Sequence, residues 1–194
     1  MPKKDAGAAG TGLVAWINGG LDAQGLKEAL LKTAVSTGMI FFIILGAAVF
    51  NSFLAFSQLP QAAAAFVGAL EMSPWLVLTL ILVTYLIFGC IMDSLSMILL
   101  TIPIFFPMVM TLDFGLTPEE TALWFGILVL IVVEVGLITP PVGLNLYVVQ
   151  GARKSGSMSD VMLGAVPYVL VMLAMAIALI AFPQIALWMP QALN

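Results

Sequence analysis

The chain has no histidine, one cysteine and few charges, with Asp, Glu, Lys and Arg making up 8% of its 194 residues. Without histidine it lacks the commonest general base, proton shuttle and transition-metal ligand. The lone thiol, Cys90, can make neither an internal disulfide nor a multi-thiolate metal site. Within its apolar run it reads as a small packing residue. No nucleophile–base pair, phosphate-binding loop or dinucleotide fingerprint is present, so the chain does not read as an enzyme. Its six basic residues form no cluster that would mark a nucleic-acid face. What fills the chain instead is hydrocarbon: 62% of residues are hydrophobic and the mean hydropathy is +1.17. Too little polar surface remains to cover such a composition in water, so lipid acts as the solvent.

Polar punctuation divides the apolar sequence into an all-α, multi-pass membrane protein. Residues 1–33 read as a cytoplasmic or interfacial segment, with an apolar stretch too short and glycine-broken for a signal-peptide core. Its "LKEALLK" starts an amphipathic helix leading into the first span. Residues 34–194 form the transmembrane part: a span at 34–56, a less apolar connection at 57–74, two apolar arms at 75–111, a broken helix at 121–151 and one long span at 161–188. Trp75 and Trp188 fall at span ends, as an aromatic belt predicts. Lys and Arg occur only within residues 3–32 and at Arg153 and Lys154, while the loops at 57–74 and 112–120 carry Glu71, Asp113, Glu119 and Glu120. The positive-inside rule then places 1–33 and 152–160 in the cytoplasm and the acidic loops outside. Residues 75–111 must begin and end outside, as two short spans or a re-entrant hairpin turning at Asp93–Ser94. The Pro, Ser and Thr content of the second arm favours the hairpin.

Three features interrupt these segments. In "GLITPPVG", Pro140 and Pro141 between Gly136 and Gly143 favour an unwound stretch over a simple kink. Unwinding frees carbonyls upstream, which a cation could meet together with the Thr139 hydroxyl. A half-helix starting within 142–145 would turn its positive end toward an anion. Asp93 and Ser94 read as a cap for the second arm, a role compatible with facing a bound ion, and Gly89 and Ser96 nearby allow close backbone approach. Glu134 fits either proton or cation coupling or a hydrogen bond that packs helices.

"GLITPPVGLNLYVVQG", preceded by "GCIMDSLSMILLTIPIFFPMV", resembles the C-terminal half of the large membrane subunit of the tripartite ATP-independent periplasmic (TRAP) transporters, DctM type. The resemblance runs from about Leu26 to the closing "FPQIALWMP". It implies one repeat of an inverted-repeat elevator transporter in a bacterial or archaeal inner membrane, with a re-entrant hairpin and a discontinuous helix. It also implies sodium-driven symport of carboxylates such as C4-dicarboxylates. The implied partners are a periplasmic substrate-binding protein and a small four-helix membrane subunit. No cofactor is implied; a sodium ion, as coupling ion, would lie between hairpin turn and unwound loop at Gly89, Gly136, Thr139 and Val142. Backbone carbonyls and the Thr139 hydroxyl would hold it. Asp93 and Ser94 would shape the turn, and Pro140, Pro141 and Gly143 would keep the loop open. Two departures stand out: "VVEVG" where many relatives carry asparagine or another polar residue, and a slightly longer 112–121 loop. The length matches only the second repeat, so an N-terminal repeat polypeptide is expected to complete the path. The alternative is a non-transporting scaffold or truncated remnant of such a subunit.

Overall fold

A computed structural model describes residues 10, 11, 14, 22–140, 142–153 and 156–193, the last five by backbone alone. Among the described residues all regular structure is helical. The chain divides into two compact units, Met1–Gly46 and Ala47–Asn194. The main described feature of the first is the beginning of α1 (Ala23–Ser57), whose first turn is closed by Asp22, its Oδ1 accepting from the Gly25 N–H at 2.6 Å. "LKEALLK" lies inside this helix, which therefore starts well before residue 34. Its 35 residues extend about 52 Å, beyond a hydrocarbon core of roughly 30 Å.

The 57–74 connection is largely helical. Its α2 (Leu59–Ala69) follows Gln58, held at φ 52°; its run of alanines favours helix, and Pro60 stands in the first turn, where its missing N–H costs no helical bond. Next comes a helical hairpin, α3 (Pro74–Gly89) and α4 (Ser94–Met110), joined by four residues. The arms are about 24 and 26 Å long, each shorter than a bilayer core. Between them the Tyr85 and Thr101 hydroxyls lie 2.9 Å apart, and Thr101 Oγ1 donates its proton to the Met97 carbonyl at 2.6 Å. Tyr85 is therefore the donor of the pair.

The centre of the second unit is α5 (Pro118–Leu137), which touches α3, α4, α6 (Leu144–Arg153), α7 (Met158–Ala181) and α8 (Gln184–Leu193). Thr117 and Glu120 form a reciprocal capping box at its start. Trp124, Phe125, Leu128 and Val133 on α5 are fully buried, packed with Leu78, Tyr85 and Met97 of the hairpin. The rings of Trp75, Phe114 and Trp124 meet edge to face, with centroids 5.3–6.1 Å apart, and join the open end of the hairpin to the start of α5. Trp75 thus packs within the fold while remaining partly exposed.

The expected single span at 161–188 is two helices. Pro183 cannot continue α7, Phe182 turns to φ −132° and ψ 75°, and α8 starts at Gln184 with Trp188 exposed. Pro183 also withholds the N–H that would serve the Leu179 carbonyl, and the Trp124 indole N–H donates there instead at 2.8 Å. The same substitution of donors occurs in α4: Pro103 strips the Leu99 carbonyl of its helical partner, and Asn51 Nδ2 on α1 lies 3.4 Å away as the donor. Trp124→Phe deletes the donor and shrinks the buried bicyclic ring to one ring, so it is expected to destabilise the fold by at least about 1–3 kcal/mol. Reversible unfolding in mixed detergent micelles measures this. Tyr85→Phe, which leaves Thr101 bonded to Met97, is expected to cost less.

Candidate cation site

The turn of the hairpin and the break in the long apolar segment meet through bare backbone. A Cβ placed on Gly89 would lie 2.9 Å from the Gly136 Cα and 3.1 Å from the Val133 carbonyl oxygen. One placed on Gly136 would lie 2.7 Å from the Gly89 Cα and 2.9 Å from the Leu86 carbonyl oxygen. Only glycine at both positions permits this approach. Both residues are buried, at the C-terminal ends of α3 and α5.

Beyond Gly136 the helix unwinds for a chemical reason. Pro140 and Pro141 stand four residues after Gly136 and Leu137, so neither carbonyl can receive its α-helical donor. Gly136 takes a tighter bond from the Thr139 N–H at 3.1 Å, and Val135 receives the Ile138 N–H at 3.2 Å and the Thr139 hydroxyl at 2.5 Å. Thr139 Oγ1 thereby directs its proton into the helix and keeps lone pairs for another partner. Gly143 has φ +51°, and a Cβ there would lie 3.1 Å from the Thr139 carbonyl oxygen, so the loop curls back on itself before α6 starts at Leu144. The Leu146 N–H closes the first turn of α6 on the Gly143 carbonyl at 2.8 Å. Val142 is half-buried in this loop, while Pro141 lies outside the described residues.

Other residues expected here fall as follows. Asp93 is exposed and caps α4, accepting from the Ser96 N–H at 2.9 Å; Ser94 is the half-buried first residue of that helix. Glu134 is exposed between buried Val133 and Val135, turned away from the Gly89–Gly136 contact, and makes no helix-packing hydrogen bond among the described residues. Cys90 donates its thiol to the Leu86 carbonyl at 3.3 Å. The structure therefore brings Gly89 and Gly136 into contact and folds Thr139 and Gly143 into one loop. It leaves Asp93 as a cap and Glu134 on another face. Among the described residues no three His, Cys, Asp or Glu side chains converge. A cation held here would be met by carbonyl and hydroxyl oxygens, a donor set suited to a hard ion. The carbonyls deprived of helical donors and the Thr139 lone pairs fit that requirement. Sequence reading did not find Trp124 and Asn51 as donors. The prolines name the carbonyls four residues upstream, but only the fold names what reaches them.

The family described as tripartite ATP-independent periplasmic transporter, DctM component, matches residues 6–185. The chain belongs to this family of transporter permeases, which are not enzymes, and with its long apolar helices it is a multi-pass membrane protein. It is 36% identical over 167 residues to the C4-dicarboxylate TRAP transporter large permease protein DctM of Pseudomonas aeruginosa, an alignment covering 86% of this chain and 38% of that one. To the ectoine/5-hydroxyectoine TRAP transporter large permease protein UehC of Ruegeria pomeroyi it is 36% identical over 162 residues, 81% of this chain and 36% of the relative. To the sialic acid TRAP transporter large permease protein SiaM of Vibrio cholerae it is 31% identical over 172 residues, 88% and 38% of the two chains. The chain thus spans under two-fifths of the length of these relatives.

Gly136→Ala drives a methyl group into the backbone of α3 at Leu86 and Gly89, which no rotamer can relieve. It is expected to cost about 1–3 kcal/mol of overpacking, read as a lower thermal midpoint in detergent. Gly126→Ala on the same helix, where a Cβ meets nothing within 4 Å, should leave the midpoint unchanged or slightly raised.

Proposed function

We propose that this chain is the C-terminal half of the large permease subunit of a sodium-coupled, binding-protein-dependent transporter for carboxylates such as C4-dicarboxylates. It works in a bacterial inner membrane. The observation that carries the reading is the Gly89–Gly136 contact, which sets a hairpin turn against a helix unwound by Pro140 and its neighbour. The hairpin enters and leaves the bilayer by one face, since neither arm is long enough to cross. Sodium is held by carbonyls at Gly89, Gly136 and Val142 and by the carbonyl and hydroxyl of Thr139. Its charge offsets the cost of the backbone bonds lost where the helix unwinds in lipid. The N-terminal ends of α4 and α6 lie beside the two breaks in the chain, where their dipoles favour the carboxylate of a substrate.

The relatives' names specify C4-dicarboxylates, ectoines and sialic acid, so the scaffold serves several acids and the carboxylate is the shared group. A periplasmic binding protein delivers the substrate, a small membrane subunit braces the permease, and an N-terminal repeat completes the path. A second reading is a non-transporting membrane scaffold or remnant of such a subunit.

Co-reconstitution of the chain with a matching N-terminal repeat, small subunit and binding protein separates the two. Substrate uptake is expected to follow an imposed sodium gradient. Uptake that ignores the gradient would refute the coupling, and no uptake at all would favour the scaffold. Thr139→Ala is expected to weaken apparent sodium affinity by about tenfold, roughly 1.4 kcal/mol of lost cation interaction. An unchanged sodium dependence would remove the hydroxyl from the site.

A further inference from the structure

A contact between two glycines brings backbones close but does not hold them in register. Neither Gly89 nor Gly136 has a side chain to interlock with the other helix, so this contact by itself leaves α3 free to turn against α5. A cation site built partly on Gly89 needs the register, because its oxygens must be held to about 0.5 Å. A directional bond elsewhere on the hairpin has to supply it.

Tyr85 stands one turn before Gly89, about 6 Å along α3, and at that spacing it shares the glycine's face. It is the last fully buried side chain on α3, since Leu86 is half-buried and Ile87 and Phe88 are exposed. Across the hairpin, Ser94, Leu95 and Ser96 are half-buried or exposed, and Met97 is the first buried residue of α4. The Tyr85 hydroxyl donates to Thr101 Oγ1 at 2.9 Å, and Thr101 donates in turn to the Met97 carbonyl at 2.6 Å. Phe105 meets the Tyr85 ring edge to face, with centroids 5.4 Å apart. The relay is thus the buried tie nearest the turn, in surroundings that offer the hydroxyl no water in exchange.

We propose that Tyr85 is a positioning residue for the cation site: its hydroxyl, bonded to Thr101, sets the rotation of α3 against α4 and so keeps Gly89 in register with Gly136 and Thr139. The inference rests on the sodium reading above and assigns what holds that site in shape. Phenylalanine at position 85 would fill the same space and lose the direction.

Cys90, the chain's only cysteine, adjoins Gly89 and reports on the tip without any added label site. The purified chain is treated with a maleimide while sodium is titrated against choline at constant ionic strength. Sodium is expected to slow Cys90 labelling in the unaltered chain. Tyr85→Phe should raise the half-protecting sodium concentration by about two- to tenfold, the worth of one hydrogen bond, and leave the rate at saturating sodium unchanged. Thr101→Ser keeps the acceptor and should keep the half-protecting concentration of the unaltered chain. A Tyr85→Phe titration that superimposes on the unaltered one would refute the positioning role and leave the cation site standing. Labelling of the unaltered chain that ignores sodium would refute the cation site itself, and the positioning role with it. Faster labelling of Tyr85→Phe at every sodium concentration, saturating included, would mean a generally loosened hairpin and overturn the proposal. A loss in Thr101→Ser equal to that in Tyr85→Phe would assign the effect to packing and overturn it too.

Discussion

A carbonyl oxygen that loses its helical donor inside a membrane has no water to turn to, and proline is what removes donors from this chain. At Pro103 and Pro183 the fold supplies replacements: Asn51 faces the Leu99 carbonyl, and the Trp124 indole serves the Leu179 carbonyl. Each replacement also links two helices, so a local defect becomes a tertiary contact. At Pro140 and its neighbour the response is different. The helix unwinds, and Thr139 folds back onto Val135 and Gly136.

The second constraint is steric. Gly89 and Gly136 let two helix ends approach until their backbones touch, which puts the hairpin turn beside the unwound loop. The bulky side chains lie further along the same helices, where Tyr85, Trp124 and Phe125 fill the space between hairpin and α5. Packing against α5 therefore tapers from large rings at one end to bare backbone at the other. That taper brings the ends of α3 and α5 together where the chain turns and breaks.

Much of this was legible in the residues themselves. The polar pair Asp93–Ser94 located the hairpin turn and the paired prolines located the break after Leu137, because capping residues and prolines act through local geometry that needs no tertiary context. The "ITPPVG" loop was recognisable for the same reason. The helix at 59–69 was missed because an alanine-rich stretch of modest hydropathy reads as a connection until it has α4 to pack on. The stop at Pro183 was missed because apolar sequence on both sides masked a single proline. Asp93 was legible as a cap. The exposure of Glu134 was not, since helical periodicity tells which residues share a face and not which face the fold covers.

The hydroxyl pair of Tyr85 and Thr101 gives the hairpin a mechanical character. It latches the two arms partway along, while the rings of Trp75, Phe114 and Trp124 anchor their far end. Two attachments along one length make a stiff lever, not a pair of independent rods. From Trp75 to Gly89 that lever measures about 21 Å. Any rotation about the aromatic end would displace the tip most, because Gly89 lies farthest along the arm from that anchor.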